Sequence, residues 1–227
     1  MKHYWRLLSI LIPILVLSAC GTKPVVAPTL ASIGALPNSL VTIEAAAEDI
    51  IDFAPSGNWD KISKDVTDIS NAWKTYQPQA GQAGASQEIQ DAMNSALADL
   101  QTASASKDAT ATMQGSNDVS AAVVELFALY GPKVPVHIGR LDVLERQVIL
   151  DVAAKDYPAA TKSLAKTMSV WKKVKPSVLE HNGKDVAAQF DASLEIQAVA
   201  VDSKNDIQLT NEARNALEIV DALEGLY

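Results

Sequence analysis

Apolar residues recur at intervals of three and four positions through most of the chain, which is the spacing of one face of an α-helix. The clearest run is Trp59, Ile62, Val66, Ile69 and Trp73, and charged or polar residues fill the positions between them. Runs of this kind predict eight helices, at about residues 40–54, 58–76, 86–104, 107–130, 137–154, 156–175, 184–201 and 204–226. No alternating pattern bounded by turn residues indicates a strand.

The ends of these helices are predicted from capping and breaking residues. Serine hydroxyls accept free backbone N–H groups at helix starts, so four serines are expected to be N-caps: Ser39, Ser86, Ser106 and Ser203. Proline has no backbone N–H to donate, so three prolines are expected to stop helices: Pro55, Pro78 and Pro176. Gly131 and Pro132 are expected to end the fourth helix.

The second half of the chain repeats the first. At an offset of 98 residues the pattern Trp-Lys-x-x-x-Pro occurs twice, at 73–78 and at 171–176. One residue is then lost, and an offset of 97 aligns the remaining apolar positions. The copies cover residues 36–130 and 134–227, which is nearly all of the chain after its N-terminal segment.

These patterns predict an all-α protein built from two tandem four-helix repeats. Four amphipathic helices with short loops form an antiparallel, up-and-down bundle. The linker 131–135 is short, so two packings remain open: two separate bundles, or one unit in which all eight helices share a core.

The N-terminal segment has the architecture of a signal peptide. Lys2 and Arg6 precede an apolar stretch at 7–17, which is short for a membrane span. The following Leu17-Ser18-Ala19-Cys20, with Gly21 behind it, resembles the lipobox of bacterial lipoproteins. The resemblance implies that diacylglycerol is attached to the Cys20 thiol, that the chain is cut before Cys20, and that the new amino group is acylated.

The lipobox resemblance sets the expected organisation and location. Residues 1–19 are the signal peptide and 20–35 a lipidated tether rich in Pro, Ala, Thr and Gly. The mature protein is then extracytoplasmic and anchored to a bacterial membrane, which is the outer membrane if the host has one, since Gly21 rather than Asp follows Cys20. The alternatives are an uncleaved helical anchor and an ordinary secretory signal.

Composition and charge narrow the function classes. The chain has 227 residues, 48% hydrophobic and 20% charged, which is typical of a globular protein. Its single cysteine excludes an intramolecular disulfide and a zinc site built from cysteines. Removal of Lys2 and Arg6 leaves 17 basic and 27 acidic residues, so nucleic acid is not an expected partner.

Metal binding has a weak signal in the histidines of the mature chain. His137 with Asp142 or Glu145, and His181 separately, are the candidate ligands. The paired helical bundles are similar to those of periplasmic imelysin-like and iron-uptake proteins. Their His-x-x-Glu motif is absent, because Arg140 stands three residues after His137 and Lys184 three residues after His181.

A second acidic group, Glu48, Asp49 and Asp52, could bind a cation on the first helix.

Haem and enzymatic chemistry find little support. A Cys-x-x-Cys-His site is absent, and a b-type site would need Met93, Met113 or Met168 opposite a histidine. We find no Gly-x-Ser-x-Gly elbow, P-loop or dinucleotide motif, so no catalytic residue is assigned. No cofactor is expected, with metal or haem as the alternative.

The two copies differ in charge. Residues 36–130 contain 13 acidic and 4 basic residues, whereas 134–227 contain 14 and 11. Five lysines gather on one helix of the second copy: Lys162, Lys166, Lys172, Lys173 and Lys175. They predict either a solvated face or a docking face for the acidic first copy, an envelope protein or an anionic polymer.

The positions shared by the copies are mostly apolar or aromatic, which favours a scaffold over an active site. We therefore expect a membrane-anchored, non-enzymatic binding or scaffolding module of the cell envelope, acting through helix surfaces or the groove between the repeats. A protein of metal or haem uptake or storage is the second hypothesis.

Overall fold

A computed structural model describes residues 35–227, and this part of the chain is all helical. Its α-helices are α1 (Asn38–Phe53), α2 (Trp59–Ala83), α3 (Gln87–Ser106), α4 (Ala109–Phe127), α5 (Val136–Ala153), α6 (Tyr157–Glu180), α7 (Lys184–Asp202) and α8 (Asp206–Glu224). Short 3-10 helices follow α1 at Ala54–Ser56 and α4 at Ala128–Tyr130. The predicted all-α class is confirmed, and the predicted helices correspond to the observed ones.

The helices form two four-helix bundles. In bundle 1, α1 and α3 each pack against α2 and α4. In bundle 2, α5 and α7 each pack against α6 and α8 in the same way. Each bundle has its own apolar core, with Ile43 and Leu100 among the buried residues of the first and Leu141 and Phe190 among those of the second. Of the two packings that the sequence left open, the structure has the one with separate cores.

The first residues of equivalent helices in the two bundles are separated by a nearly constant number of residues. The first residues of α1 and α2 are Asn38 and Trp59, and those of α5 and α6 lie 98 residues later. The first residues of α3 and α4 are separated from those of α7 and α8 by 97 residues. The deleted residue therefore falls between the start of the second helix of the repeat and the start of the third, and α6, with 24 residues, is one residue shorter than α2, with 25.

The turns also share their backbone conformation while their residues differ. Left-handed residues occupy equivalent places in the three turns of each bundle, in the pairs Gly57 and Lys155, Gly84 and Asn182, and Lys107 and Lys204. Glycine adopts this conformation without strain, whereas an L side chain is disfavoured there. The same loop geometry is thus kept even where lysine replaces glycine.

Three of the four expected serine N-caps are wrong. Only Ser86 caps a helix, since its hydroxyl accepts from the Ile89 N–H at 3.3 Å. Ser39 lies inside α1, behind Pro37.

The other two, Ser106 and Ser203, stand at the ends of α3 and α7, where their hydroxyls donate to carbonyls of the preceding turn. The residue after each serine is a lysine in the left-handed conformation, Lys107 or Lys204. The N-caps of the next helices lie two residues after the serines, at Asp108 and Asn205.

Two of the expected proline stops are also wrong. Helix α2 continues past Pro78 to Ala83, and α6 continues past Pro176 to Glu180. An interior proline destabilises a helix by about 3 kcal/mol or more. Beyond each proline the chain still buries apolar residues, Ala80 and Val178, both fully inaccessible to solvent, and this burial favours continuation. Pro55 does follow the end of α1, inside the 3-10 helix.

Equivalent tryptophans make equivalent hydrogen bonds. The Trp73 indole N–H donates to Asn94 Oδ1 at 2.7 Å, and that of Trp171 donates to Asp191 Oδ1 at 2.7 Å. Each bond joins the second helix of its bundle to the third. Both tryptophans are almost fully buried, so the polar acceptor removes the penalty of an unpaired indole N–H.

The bundles are held side by side by a contact between α4 and α5. Val124 and Val143 are buried there and belong to neither bundle core. Around them, the Asn117 side-chain amide donates to the Val143 carbonyl at 3.1 Å, and Arg140 makes a two-pronged ion pair with Glu125 at 2.7 Å. No helix within residues 35–227 is both long and apolar enough to cross a membrane.

Candidate functional site in the groove between the bundles

A groove opens between the bundles because only one of two equivalent pairs of helices is packed together. The repeat makes α8 and α1 the counterparts of α4 and α5. Helices α4 and α5 pack together, whereas α8 and α1 are not packed in this way. The space between α1 and α8, with α5 beneath it, is called the inter-bundle groove here.

The groove contains two adjoining cavities that share Glu48 and Asp142. The linker cavity, about 420 Å³, is lined by Leu36, Glu44, Glu48, Val124, Phe127, Pro132, Lys133, Val134, Pro135, Val136, Gly139, Asp142 and Glu224. The arginine cavity, about 580 Å³, is lined by Glu48, Ile51, Asp52, Pro55, Met113, Asp142, Arg146, Ile149, Leu150, Arg214, Leu217, Glu218 and Asp221. Both have the size of small-molecule binding sites.

Arg146 of α5 lies at the junction of the cavities. Its Nη2 atom is 2.7 Å from Asp142 Oδ2 and 2.9 Å from Glu48 Oε1, so one nitrogen serves two carboxylates on two bundles. Its Nη1 atom is buried and has no hydrogen-bond partner within residues 35–227. Because a guanidinium carries five N–H donors, part of its binding capacity remains unused.

Glu44 of α1 lies one helical turn before Glu48. Its Oε2 atom is buried and has no partner in the described part of the chain. Burial, reinforced by the neighbouring Glu48, raises the pKa of Glu44 to about 8, against an ordinary 4.5. A buried carboxyl without a partner is disfavoured in its charged form, so Glu44 keeps its proton at neutral pH.

Two further carboxyls of the groove are perturbed in the same direction. Burial raises the pKa of Asp142 to about 7, although Arg146 opposes the shift. Burial and the nearby Asp221 raise the pKa of Glu224 on α8. Carboxyls from α1, α5 and α8 thus meet in the groove, and a cation that reaches them would favour their ionised forms.

The predicted metal ligands are not brought together. His137 lies in the first turn of α5, and its Nδ1 accepts from the Arg140 guanidinium at 2.8 Å. Burial, with Arg140 and Lys173 nearby, lowers the pKa of His137. Glu145 follows eight residues later on the same helix, a rise of about 12 Å, so the two cannot share one ion.

Glu145 lies inside bundle 2 rather than on a surface. Its side chain is fully buried, and neither carboxyl oxygen has a partner in the described residues. Burial raises its pKa to about 8, with contact to Gln197 of α7 opposing the shift.

His181 follows the last residue of α6, at the same end of bundle 2 as the start of α5. Its ring packs on Tyr227 at 4.3 Å between centroids, and its Nδ1 donates to the Ser177 carbonyl at 2.9 Å. Within residues 35–227 no three His, Cys, Asp or Glu side chains are arranged to hold a metal ion.

The acidic group of the first helix is divided. Asp49 pairs with Lys61 at 2.6 Å, whereas Glu48 and Asp52 line the groove. The candidate haem ligand Met93 is fully buried in the core of bundle 1.

The lysines of α6 do not contact acidic residues of bundle 1 in ion pairs within the described structure. Lys162, Lys166, Lys172 and Lys173 are exposed. Lys175 pairs with Asp191 of the same bundle at 2.5 Å. Docking of this face on the first copy is therefore not what the structure has. Cys20, the predicted lipidation residue, lies outside the described residues.

Sequence reasoning missed Glu44 and Arg146 as members of a site. A signal for α5 is present: its apolar residues surround the helix, with Val143 and Leu150 facing away from Leu141 and Val148, which predicts two buried faces. The groove itself could not be read from the sequence, because it depends on which pair of helices closes.

Comparisons with known proteins add no family. No family model matches the chain, and neither a curated protein nor a solved structure does.

Proposed function

We propose that this chain is a bacterial lipoprotein that acts outside the cytoplasm as a non-enzymatic binding or scaffolding module, with the inter-bundle groove as its recognition surface. The N-terminal segment through Cys20 supports the location, because it resembles a lipobox. A lipid on Cys20 would hold the two bundles at the membrane surface.

One observation favours the groove as the recognition surface. Two side chains of the groove, Glu44 and Arg146, each have a buried polar atom without a partner in the described residues. Buried polar atoms are rarely left unpaired unless a further group completes them. A bound molecule that reaches into the groove supplies such a group.

The experiment for the groove is site-specific crosslinking in intact cells. A single thiol at Glu218→Cys, exposed in the arginine cavity, is compared with Asn71→Cys on the outer face of α2. We expect a discrete adduct from Glu218→Cys alone, and its loss when Arg146→Glu reverses the central charge. Equal adducts from both positions, or none from either, would contradict recognition through the groove.

Anchoring has a separate test. Cys20→Ser removes the only thiol that could carry the lipid. The variant should carry no lipid and run as an uncleaved precursor, whereas Ser18→Ala, a small residue exchanged for another, should be lipidated and cleaved. Cleavage or lipid labelling of Cys20→Ser would show that the lipobox interpretation is wrong.

The metal or haem hypothesis is not favoured by a specific observation. Its candidate ligands His137, Glu145 and His181 occupy three separate environments.

A further inference from the structure

We propose that the linker cavity binds an organic cation, an ammonium or guanidinium group on an apolar stem, and that Glu44 is the carboxyl that meets the charge. The inference rests on the proposed role of the groove as a recognition surface and names the ligand class for one part of it.

The lining of the linker cavity contains two kinds of side chain. Leu36, Val124 and Phe127 are apolar, whereas Glu44, Glu48, Asp142 and Glu224 carry carboxyls. A molecule that matches both kinds has a positively charged head and an apolar stem, since the apolar part gains by leaving water and the head gains by meeting carboxylates.

Glu44 of α1 lines the linker cavity and has an unused hydrogen-bonding atom. Its Oε2 atom is buried and has no partner among residues 35–227, although the side chain lines the cavity. An N–H donor from a ligand would satisfy this atom and stabilise its charged form. Glu44 therefore offers an acceptor that no group of the described residues uses.

A metal ion fits the cavity less well than an organic cation. No three carboxylates of the described residues converge at coordinating distance. The volume, about 420 Å³, lies in the range of small organic ligands, roughly 300–1,000 Å³. A metal ion would also leave the apolar lining residues of the cavity without a contact.

Binding should release protons. The charged groups that face Glu44 are Glu48 on the same helix, Asp142 and Arg146 on α5, and Glu224 on α8. Lys133 of the linker adds one positive charge at the cavity. The empty cavity holds Glu44 protonated at pH 7, and an arriving cation favours the ionised carboxylate, so the proton leaves as the ligand binds.

The experiment is calorimetric titration of the full chain with hexylammonium, and with hexanol and hexanoate as neutral and anionic probes of the same length. Alkylammonium groups, like lysine with a pKa of about 10.4, stay charged over the range used. We expect saturable binding of hexylammonium, at least tenfold tighter than hexanol, and no binding of hexanoate. In two buffers of different ionisation enthalpy at pH 7, close to one proton should be released, and affinity should rise roughly tenfold from pH 6.5 to 8.5.

The decisive variant is Glu44→Gln, with Glu195→Gln as its matched control. Glutamine has the shape of the protonated glutamic acid that occupies position 44 at neutral pH, so the variant should fold, which circular dichroism verifies. It should weaken hexylammonium binding at least tenfold and abolish proton release. Glu195 is exposed on α7 and lines neither cavity of the groove, so Glu195→Gln should bind as the unaltered chain does.

Several outcomes would overturn the inference. Equal affinity for hexanol and hexylammonium would show that the cavity recognises only the apolar stem. Unchanged binding in Glu44→Gln would remove Glu44 from the site. Competition by Ca²⁺ at lower concentration than hexylammonium would make it a metal site. If none of the probes binds while Glu218→Cys still gives its adduct in cells, the ligand class is wrong and the proposed use of the groove stands.

Discussion

The individual residues that distinguish this molecule are buried acids. Glu145 is the extreme case, since its side chain is fully inaccessible to solvent, and the equivalent position of bundle 1 is Ala47. Bundle 2 also buries Thr167 and Gln197 where bundle 1 has Ile69 and Leu100. One repeat therefore contains polar side chains in a layer that the other fills with apolar ones, which predicts a pH dependence for bundle 2 in particular.

Glu145 should make stability fall as pH rises. Below about pH 4.5 the acid is protonated in both the folded and the unfolded chain. Between about pH 4.5 and 8 the unfolded chain loses this proton while the folded one keeps it, so the folded state binds more protons. The free energy of unfolding then decreases by up to about 1.4 kcal/mol per pH unit from this group.

Urea unfolding at pH 5, 6, 7 and 8 checks this expectation. Glu145→Gln should have a shallower decline than the unaltered chain and a higher midpoint at pH 8, because glutamine never ionises. Glu195→Gln on the exposed face of α7 is the control and should change neither. Parallel pH profiles for Glu145→Gln and the unaltered chain would contradict the raised pKa.

At the scale of the helices, close packing decides what the chain tolerates. Gly115 of α4 lies against the backbone of α3, and a Cβ atom at this position would be 2.9 Å from the Leu100 Cα. Gly81 of α2 has open space, since its nearest neighbour is the end of the Gln90 side chain at 3.9 Å. The close approach of two helices therefore requires a glycine at position 115, whereas packing does not require one at position 81.

Alanine substitutions at these glycines should have opposite signs. Gly115→Ala should destabilise the protein by about 1–3 kcal/mol, because α3 and α4 must separate. Gly81→Ala should stabilise it by up to about 1 kcal/mol through helix propensity. Thermal unfolding of both variants tests the pair, and a gain of stability in Gly115→Ala would contradict the close approach of α3 and α4.

The helices were also the scale at which sequence reasoning worked best. The apolar stripes alone locate eight helices, because their period reports which side of each helix is buried. Errors occur where local chemistry competes with packing. Pro78 and Pro176 do not end their helices, and Ser106 and Ser203 are displaced as caps by left-handed lysines. A prediction from one residue type fails at these positions because packing with neighbouring residues determines the free energy of the local structure.

For the whole molecule, the two cores should respond separately. Phe190 and Met93 occupy equivalent positions, each fully buried in the core of its own bundle. Truncation of either to alanine should destabilise its bundle by about 2–5 kcal/mol. The effect can pass to the other bundle through the contact between α4 and α5 and through the ion pair of Arg146 with Glu48.

Hydrogen exchange resolved along the chain measures this separation. Phe190→Ala should speed amide exchange in α6 and α7 more than in α2 and α3, and Met93→Ala should do the reverse. Equal loss of protection in both bundles from either variant would mean that the molecule unfolds as a single unit.

The groove was the part that the sequence could not locate. Helix patterns state which faces are buried but not which equivalent pair of helices, α4 with α5 or α8 with α1, comes together. Glu44, Asp142 and Arg146 are ordinary polar residues of helix faces when considered singly. They become a site only through the arrangement of the two bundles.

The ion pair between Glu48 and Arg146 has a consequence for the specificity of assembly. The two residues are 98 positions apart and therefore occupy the same place in the two repeats, yet they touch at 2.9 Å, as equivalent residues do at the axis of an isologous dimer. Two identical copies would set Glu48 against Glu48, or Arg146 against Arg146, and like charges repel. Opposite charges at this one position therefore favour the pairing of unlike repeats over the pairing of like ones.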